Sequence, residues 1–251
     1  MLELDAGFFA IAAPAVLFAG VSKGGFGSGA AFASSTILAL VLEPGQALGV
    51  MLPLLMLIDL ASLRPYWRRW SWPDARLLLL GGVPGVVLGV ALYRVADADV
   101  MRLLIGGISV LFVVWQLGQR GGWIHPFRDR LPGWAGLLAG VVTGFTSFVS
   151  HAGGPPAAVY LLSQRLDKTR YQASTVLIFW VLNIVKFVPY AWLGMFTWQT
   201  AAANLALTPF ALIGTWLGVR AHSIVPERVF FGLTYVLLLA TGGKLIWDGL
   251  V

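Results

Sequence analysis

Long uncharged runs of apolar residues recur along the whole chain, separated by short polar and basic stretches. Each run is close to the ~20 residues that an α-helix needs to cross a bilayer. The runs predict ten helical segments, at 7–22, 28–42, 45–63, 76–94, 101–118, 134–150, 155–163, 171–193, 199–219 and 228–247. Segments 28–42 and 155–163 are short or punctuated by glycine, and each either spans the membrane or re-enters it as one arm of a hairpin.

Composition places the chain among membrane proteins rather than soluble helical bundles. Hydrophobic residues make up 58% of the 251 residues and charged residues 11%, whereas a soluble domain carries about 25% charge. Mean hydropathy is +0.82. The net charge of +6 would suggest nucleic acid in a soluble chain, but cytoplasmic loops of membrane proteins accumulate Lys and Arg. We therefore expect a lipid bilayer, and no nucleic acid, as a partner.

The basic residues predict an orientation in the membrane. They cluster around 64–76, 120–130 and 165–170. If these stretches face the cytoplasm, both termini lie outside. The acidic start, with Glu3 and Asp5, lacks the basic region of a cleaved signal peptide, so we expect the first segment to be retained. Trp and Tyr residues cluster at the predicted segment ends and indicate an interfacial belt, including Tyr66, Trp67, Trp70, Trp72, Trp123, Trp134, Tyr190, Trp192 and Trp198.

An internal repeat divides the chain into two similar units. The stretch Gly25-Phe26-Gly27-Ser28 returns as Gly144-Phe145-Thr146-Ser147, and Asp59 before Pro65-Tyr66 returns as Asn183 before Pro189-Tyr190. We assign 1–118 to a first membrane repeat, 119–133 to a cytoplasmic connector and 134–251 to a second membrane repeat. The loop after Pro65-Tyr66 is basic and the loop after Pro189-Tyr190 is neutral, so equivalent loops change sides. This predicts an all-α integral membrane protein with two inverted-topology repeats of about five helical segments each. In total, eight to ten of these segments enter the membrane.

The first candidate site is a glycine-rich run after the first segment. Glycines destabilise a helix, and a broken backbone at membrane depth must line a cavity or be buried in protein. A helix that starts near Ser28 would point its N–H groups at an anion, and Lys23 would add a positive charge. Close helix packing also explains the glycines, and snorkelling to the interface is the alternative for Lys23. The substrate-binding candidates here are Lys23, Gly24, Gly25, Gly27 and Ser28.

The second candidate site is the equivalent run in the second unit, which is richer in hydroxyl groups. A short helix that starts near Pro155 fits the preference of proline for the first helical position, and its N-terminus would face the first run. His151 is the only titratable residue of this stretch, and it either contacts substrate, carries a proton or satisfies a neighbouring carbonyl. The substrate-binding candidates here are Ser147, Ser150, His151, Gly153 and Gly154.

Polar residues within the third and eighth segments form a further group. Ionisable residues inside a span are rare and usually face a cavity or a partner. Asp59 and Asn183 hold equivalent positions, and Lys186 shares a helix face with Asn183. Asp59 is expected to pair with Lys186 or with Lys23, or to act as a separate gating group. We assign Asn183 and Lys186 to substrate binding, and Asp59, His151, Gln46 and Gln172 to coupling or gating.

Motifs for enzyme chemistry are missing from the sequence. It contains no phosphate-binding loop, no dinucleotide fingerprint, no His-Glu-x-x-His and no cysteine. The three His residues are widely separated, at His125, His151 and His222. We expect no catalytic residues, no metal site and no cofactor.

The motifs together resemble the TauE/SafE family, the sulfite and organosulfonate exporters. The resemblance covers almost the whole chain and rests on the two glycine-phenylalanine elements, on Gly153-Gly154-Pro155-Pro156, on the pairs Gln46-Ala47 and Gln172-Ala173, and on the Pro-Tyr repeats. It implies a multi-pass transporter of the bacterial inner membrane that moves sulfite, sulfoacetate or a related sulfonate. In that membrane, the termini that the charge pattern places outside are periplasmic. The stretch containing His151 departs from many members of the family.

The sequence thus predicts a secondary transporter for a small anion, in which one half rocks against the other around a central site and a proton is one option for the coupled ion. An anion channel and a non-transporting scaffold subunit are the alternatives, and a homodimer stays open. The sequence does not fix the anion or the direction of transport.

Overall fold

The computed structural model describes residues 4–26, 30–123, 129–221 and 227–251, and in these ranges the chain forms helices and no strands. In chain order, the helices are α1 (Ala6–Val21), α2 (Ala33–Leu38), α3 (Pro44–Leu63), α4 (Trp72–Tyr93), α5 (Ala98–Arg120), α6 (Gly133–Ser150), α7 (Gly154–Ser163), α8 (Lys168–Trp192), α9 (Trp198–Ala221) and α10 (Glu227–Asp248). Aspartates cap three of them: Asp5, Asp97 and Asp167 accept the backbone N–H three residues on. The predicted all-α class is confirmed.

Within the described ranges, eight helices are long and apolar enough to cross a membrane, namely all except α2 and α7. The 6 residues of α2 and the 10 of α7 extend only ~9 and ~15 Å, about half or less of the hydrocarbon core. Neither is long enough to cross the membrane alone, and each packs against the helix that precedes it. The Ser34 hydroxyl donates to the Ala15 carbonyl, which places α2 beside the middle of α1, and a turn at His151 joins α6 to α7.

The regular α-helical part of α1 ends at Val21, beside the predicted end at residue 22. The helix continues through Ser22–Phe26 as a π-helical turn, and α2 begins at Ala33 rather than near Ser28. The reason is close packing against α9: a Cβ on Gly24 would overlap the Thr215 carbonyl oxygen, and one on Gly20 would lie 2.6 Å from the Ala211 carbonyl oxygen. The small-residue packing considered above thus accounts for Gly24 and Gly25.

Helix packing crosses between the two units. The first helix of each unit packs against the fourth helix of the other, so α1 lies on α9 and α6 lies on α4. The third helices also pack on the fourth helix of the other unit, α3 on α9 and α8 on α4. Equivalent helices of the two units pack on each other as well, α3 on α8 and α5 on α10. The α4–α6 contact is as close as the α1–α9 contact, because a Cβ on Gly140 would lie 2.6 Å from the Leu78 carbonyl oxygen. This exchange supports the predicted repeat, whose inverted topology stays a prediction.

Large apolar side chains cover the outside of the helices, and exposed Trp residues lie at or beside helix ends. Trp72, Trp134 and Trp198 are more than half exposed, as an interfacial belt requires. The assignment of Tyr190 to this belt is wrong. Its ring is fully buried, because it packs edge-on against Phe148 and its hydroxyl donates to the Phe148 carbonyl at 2.6 Å.

Candidate functional site

Four ionisable residues from different parts of the chain converge in the interior. Lys23 lies in the π-helical turn after α1, Asp59 on α3, Lys186 on α8, and His151 in the turn between α6 and α7. None is more than 7% exposed. Burial of several ionisable groups in one place is costly unless they compensate one another, so their contacts define what this site can do.

Lys23 forms a buried ion pair with Asp59. The second oxygen of the Asp59 carboxylate accepts a hydrogen bond from the Asn183 side-chain amide at 2.7 Å. Of the two partners predicted for Asp59, the structure selects Lys23 as the ion-pair partner. The equivalent residues of the two units, Asp59 and Asn183, are therefore in direct contact where α3 packs on α8.

Lys186 donates three hydrogen bonds to neutral acceptors. Its Nζ lies 2.9 Å from the Ser147 carbonyl oxygen, 2.9 Å from the Ser147 Oγ and 3.0 Å from the His151 Nδ1. An ammonium group has three N–H donors and no acceptor, so this coordination matches its charged form. No carboxylate among the described residues forms an ion pair with it.

The imidazole of His151 bridges Lys186 and α3. Its Nε2 lies 3.3 Å from the Leu48 carbonyl oxygen, which only accepts, so Nε2 carries the proton and donates. Nδ1 then accepts from Lys186, and the ring is neutral. The backbone of His151 is left-handed, with φ 57°, a conformation that His adopts more readily than most residues. This turn points the imidazole between the helices.

A small central cavity lies at these groups. Its volume is about 10 Å³, roughly the smallest space that holds one water molecule. It is lined by Lys23, Ala31, Phe32, Leu55, Ser147, His151, Phe179, Asn183 and Lys186. One part of the wall is therefore polar and cationic and the rest is apolar. A sulfur oxyanion does not fit this volume, so the site is closed in this conformation.

A wide cavity opens at the end of the molecule that carries the N-terminus. Its volume is about 780 Å³, and its polar lining residues are Asp5, Glu43, Gln46, Arg102 and Asp248. An apolar cluster reaches from Phe8 at the wide cavity to Leu55 at the central cavity. This cluster separates the two cavities.

The structure brings together six of the predicted site residues at the central cavity: Lys23, Asp59, Ser147, His151, Asn183 and Lys186. Gly153 lies beside them, since a Cβ there would lie 2.9 Å from the Ser147 Cβ and from the Phe179 ring. Gly154 is buried at the start of α7, where Pro155 and Pro156 have no N–H to offer an anion.

Other predicted residues lie elsewhere. Gln46 lines the wide cavity, and Gln172 lies in the first turns of α8, far along the helix from Asn183. The Ser150 hydroxyl donates back to the Thr146 carbonyl of its own helix. Gly24 and Gly25 face α9. Gly27 and Ser28 lie outside the described residues.

Sequence reasoning missed the apolar wall and one polar contact between the units. Phe179 precedes Asn183 by one turn and Lys186 by two, so helical spacing would have placed it on the same face. The Ser35 hydroxyl donates to the Ser150 carbonyl at 2.9 Å and so connects α2 to the end of α6. No sequence motif marks that contact.

The described residues include no group of three His, Cys, Asp or Glu side chains that could hold a metal ion. The chemistry at the central cavity is therefore that of two ammonium groups, one carboxylate, an imidazole, an amide and hydroxyl groups. Such a set offers charge and hydrogen bonds to a small polar solute.

Comparison with known proteins agrees with this helical architecture. The family model described as sulfite exporter TauE/SafE matches residues 12–245. No curated protein and no solved structure matches the chain. That match spans all ten helices from within α1 to within α10, and the chain belongs to the sulfite exporter TauE/SafE family of membrane transporters.

Proposed function

We propose that this protein is a secondary transporter that carries a small sulfur-containing oxyanion, such as sulfite or an organic sulfonate, through the central cavity. The observation that carries the proposal is the pair of buried lysines, Lys23 and Lys186. Among the described residues, Lys23 forms an ion pair with Asp59, whereas Lys186 contacts neutral groups. An uncompensated ammonium inside a membrane protein costs several kcal/mol. A bound anion offsets this cost, so the site favours an anionic solute.

The arrangement of helices supports alternating access in which each moving group contains helices of both units. Lys23 and Asp59 belong to the group formed by α1, α3 and α9, whereas Ser147, Asn183 and Lys186 belong to the group formed by α4, α6 and α8. The site lies where α3 meets α8. Because each group contains helices of both units, rocking moves one packed group against the other, rather than one sequence half against the other.

The two ends of the transport path differ in this conformation. The wide cavity opens at the N-terminal end, which the charge pattern predicts to be periplasmic. At the other end, Ser163 and Gln164 at the end of α7 bond to the Leu131 backbone. We infer that transport opens this end while closing the wide cavity. A central cavity that is too small for the anion in this conformation supports a carrier over an open channel.

His151 and Asp59 are the proposed proton carriers if transport is coupled to protons. Protonation of His151 would disrupt its bond from Lys186, because Nδ1 would no longer accept. Protonation of Asp59 would weaken its ion pair with Lys23. Each step changes a bond within one helix group, at a residue that also contacts the other group: His151 bonds to the Leu48 carbonyl of α3, and Asp59 accepts from Asn183 of α8. We propose that these cross-group contacts link proton binding to opening of the site.

The test is transport by purified protein in liposomes. We expect saturable uptake of sulfite or isethionate, together with counterflow. Lys186→Gln should abolish it, since it removes the buried charge. Lys168→Gln is the matched control, because Lys168 lies on the same helix but is exposed. Anion flux through the wild-type protein without counterflow would indicate a channel. If no tested anion moves and only the basic stretch 64–76 matters in cells, the protein is a scaffold.

A further inference from the structure

We infer that the central site is matched to a singly charged oxyanion, and that Asp59 is the residue that sets this charge selectivity. The inference rests on the proposed function and deepens it, because it names the charge class of the substrate. It follows from the number of formal charges that the site encloses, from the hydrogen bonds that fix them, and from the contact between Asp59 and Asn183.

The hydrogen-bond partners fit one charge for each group, and we take these charges as the basis of the inference. The three acceptors around Lys186 Nζ match an ammonium. His151 accepts at Nδ1 and donates at Nε2, so it is neutral. Lys23 and Asp59 form an ion pair. The site therefore encloses two positive charges and one negative charge, and its net charge is one positive unit.

The other ion pairs of the described residues do not alter this balance. Arg102 pairs with Glu43 and Asp99, and Lys244 pairs with Asp248. The carboxylates of Glu43 and Asp248 belong to the wide cavity. That cavity is separated from the central site by the apolar cluster described above.

A monovalent anion brings the central site to neutrality, whereas a divalent anion leaves it with one uncompensated negative charge. Water compensates this extra negative charge only slightly, because the central cavity holds about one water molecule. Since charges interact more strongly in a buried environment than in water, this difference should dominate the discrimination between oxyanions of similar shape. The site therefore favours sulfonates over sulfate or thiosulfate.

Asp59 sets the net charge of the central site because it supplies the negative charge counted above. Asn183 holds the equivalent position in the other unit and is neutral. The two side chains are nearly the same size and are joined by one hydrogen bond of 2.7 Å. Exchange of the two residues therefore moves the negative charge across the α3–α8 contact without changing the net charge or the packing volume. Asp59→Asn alone raises the net charge by one unit.

The experiment compares dissociation constants for anions whose charge is fixed near neutral pH. Isothermal titration calorimetry would use full-length protein in detergent, with methanesulfonate and isethionate as monovalent probes and sulfate and thiosulfate as divalent probes. We expect the wild-type protein to bind the monovalent probes at least about tenfold more tightly. Asp59→Asn should shift the ratio of the two classes by about tenfold or more towards divalent anions.

The double variant Asp59→Asn with Asn183→Asp is expected to restore the wild-type ratio, and Lys168→Gln to leave it unchanged. Size-exclusion chromatography checks folding. If Asp59→Asn does not fold, Asn183→Asp alone is the second test, and it should weaken monovalent binding by about tenfold or more, because the site becomes neutral.

The outcomes separate the two proposals. Equal or tighter binding of divalent anions by wild type would overturn the inference, as would an unchanged ratio in Asp59→Asn or full monovalent affinity in Asn183→Asp. In each of these cases the proposed transport function stands. If wild type binds none of the four anions, the charge inference fails, and if it also moves no sulfite in liposomes, the proposed function itself fails.

Discussion

The buried ion pair between Lys23 and Asp59 gives the sharpest prediction about stability. The change is Lys23→Met, which shortens the unbranched side chain by one atom and removes its charge. Asp59 is 1% exposed and then keeps only the hydrogen bond from Asn183. Removal of one partner from a buried ion pair costs about 3–5 kcal/mol, so the free energy of unfolding should fall by that amount.

The second variant in this test is Lys23→Met with Asp59→Asn. It removes both charges and leaves two amides, at positions 59 and 183, that can bond to each other. Replacement of a whole buried ion pair by neutral groups is often neutral or stabilising. The double variant should therefore be more stable than Lys23→Met alone, although it carries one more substitution.

Thermal unfolding in detergent, followed by the fluorescence of the 11 Trp residues, measures both effects. For a chain of this size, 3–5 kcal/mol corresponds to a fall in Tm of roughly 6–20 °C. The double variant should recover most of that fall. A double variant as destabilised as the sum of the two single variants would refute the reasoning, because the two charges would then not compensate each other.

Three further predictions test the packing and the polar network. Gly140→Ala should lower the free energy of unfolding by about 1–3 kcal/mol, because its Cβ would lie 2.6 Å from the Leu78 carbonyl. Gly107→Ala, with no atom within 4 Å of its Cβ, is the control and should show no loss in the same thermal unfolding assay. Tyr190→Phe should cost about 1–3 kcal/mol, because the Phe148 carbonyl loses its donor, and a Tm equal to wild type would contradict this. Ser147→Ala removes one acceptor of Lys186 and should weaken anion binding about fivefold in calorimetry, whereas Ser147→Thr keeps the hydroxyl and should bind as wild type does.

The long helices were predictable because their physical signal is strong and local. For example, the apolar run predicted at 171–193 matches α8 at Lys168–Trp192. Ionisable residues in such runs are rare enough to mark a site, which is why Lys23, Asp59, His151 and Lys186 could be named in advance. The structure places Lys23 beside Asp59 and His151 beside Lys186, and their role in transport stays a prediction.

The glycine-rich run shows what the sequence left undecided. A glycine that breaks a helix and a glycine that lets two backbones approach look the same in a single sequence. Which of these two roles a glycine has here depends on α9, whose contact with Gly20 and Gly24 joins distant parts of the sequence. The partner of Asp59 was open for the same reason, since both Lys23 and Lys186 were at reachable positions.

The exchanged packing of the first and fourth helices has a consequence for synthesis of the protein. The glycine face of α1 finds its partner only at Ala211 and Thr215 on α9, about 190 residues later, which takes roughly 10–40 s at ribosomal rates. By contrast, α6 follows its partner α4 after only α5 and the connector. The glycine face of α1 therefore waits longer for its partner than that of α6 does, and premature termination before α9 leaves α1 with an unpaired glycine face.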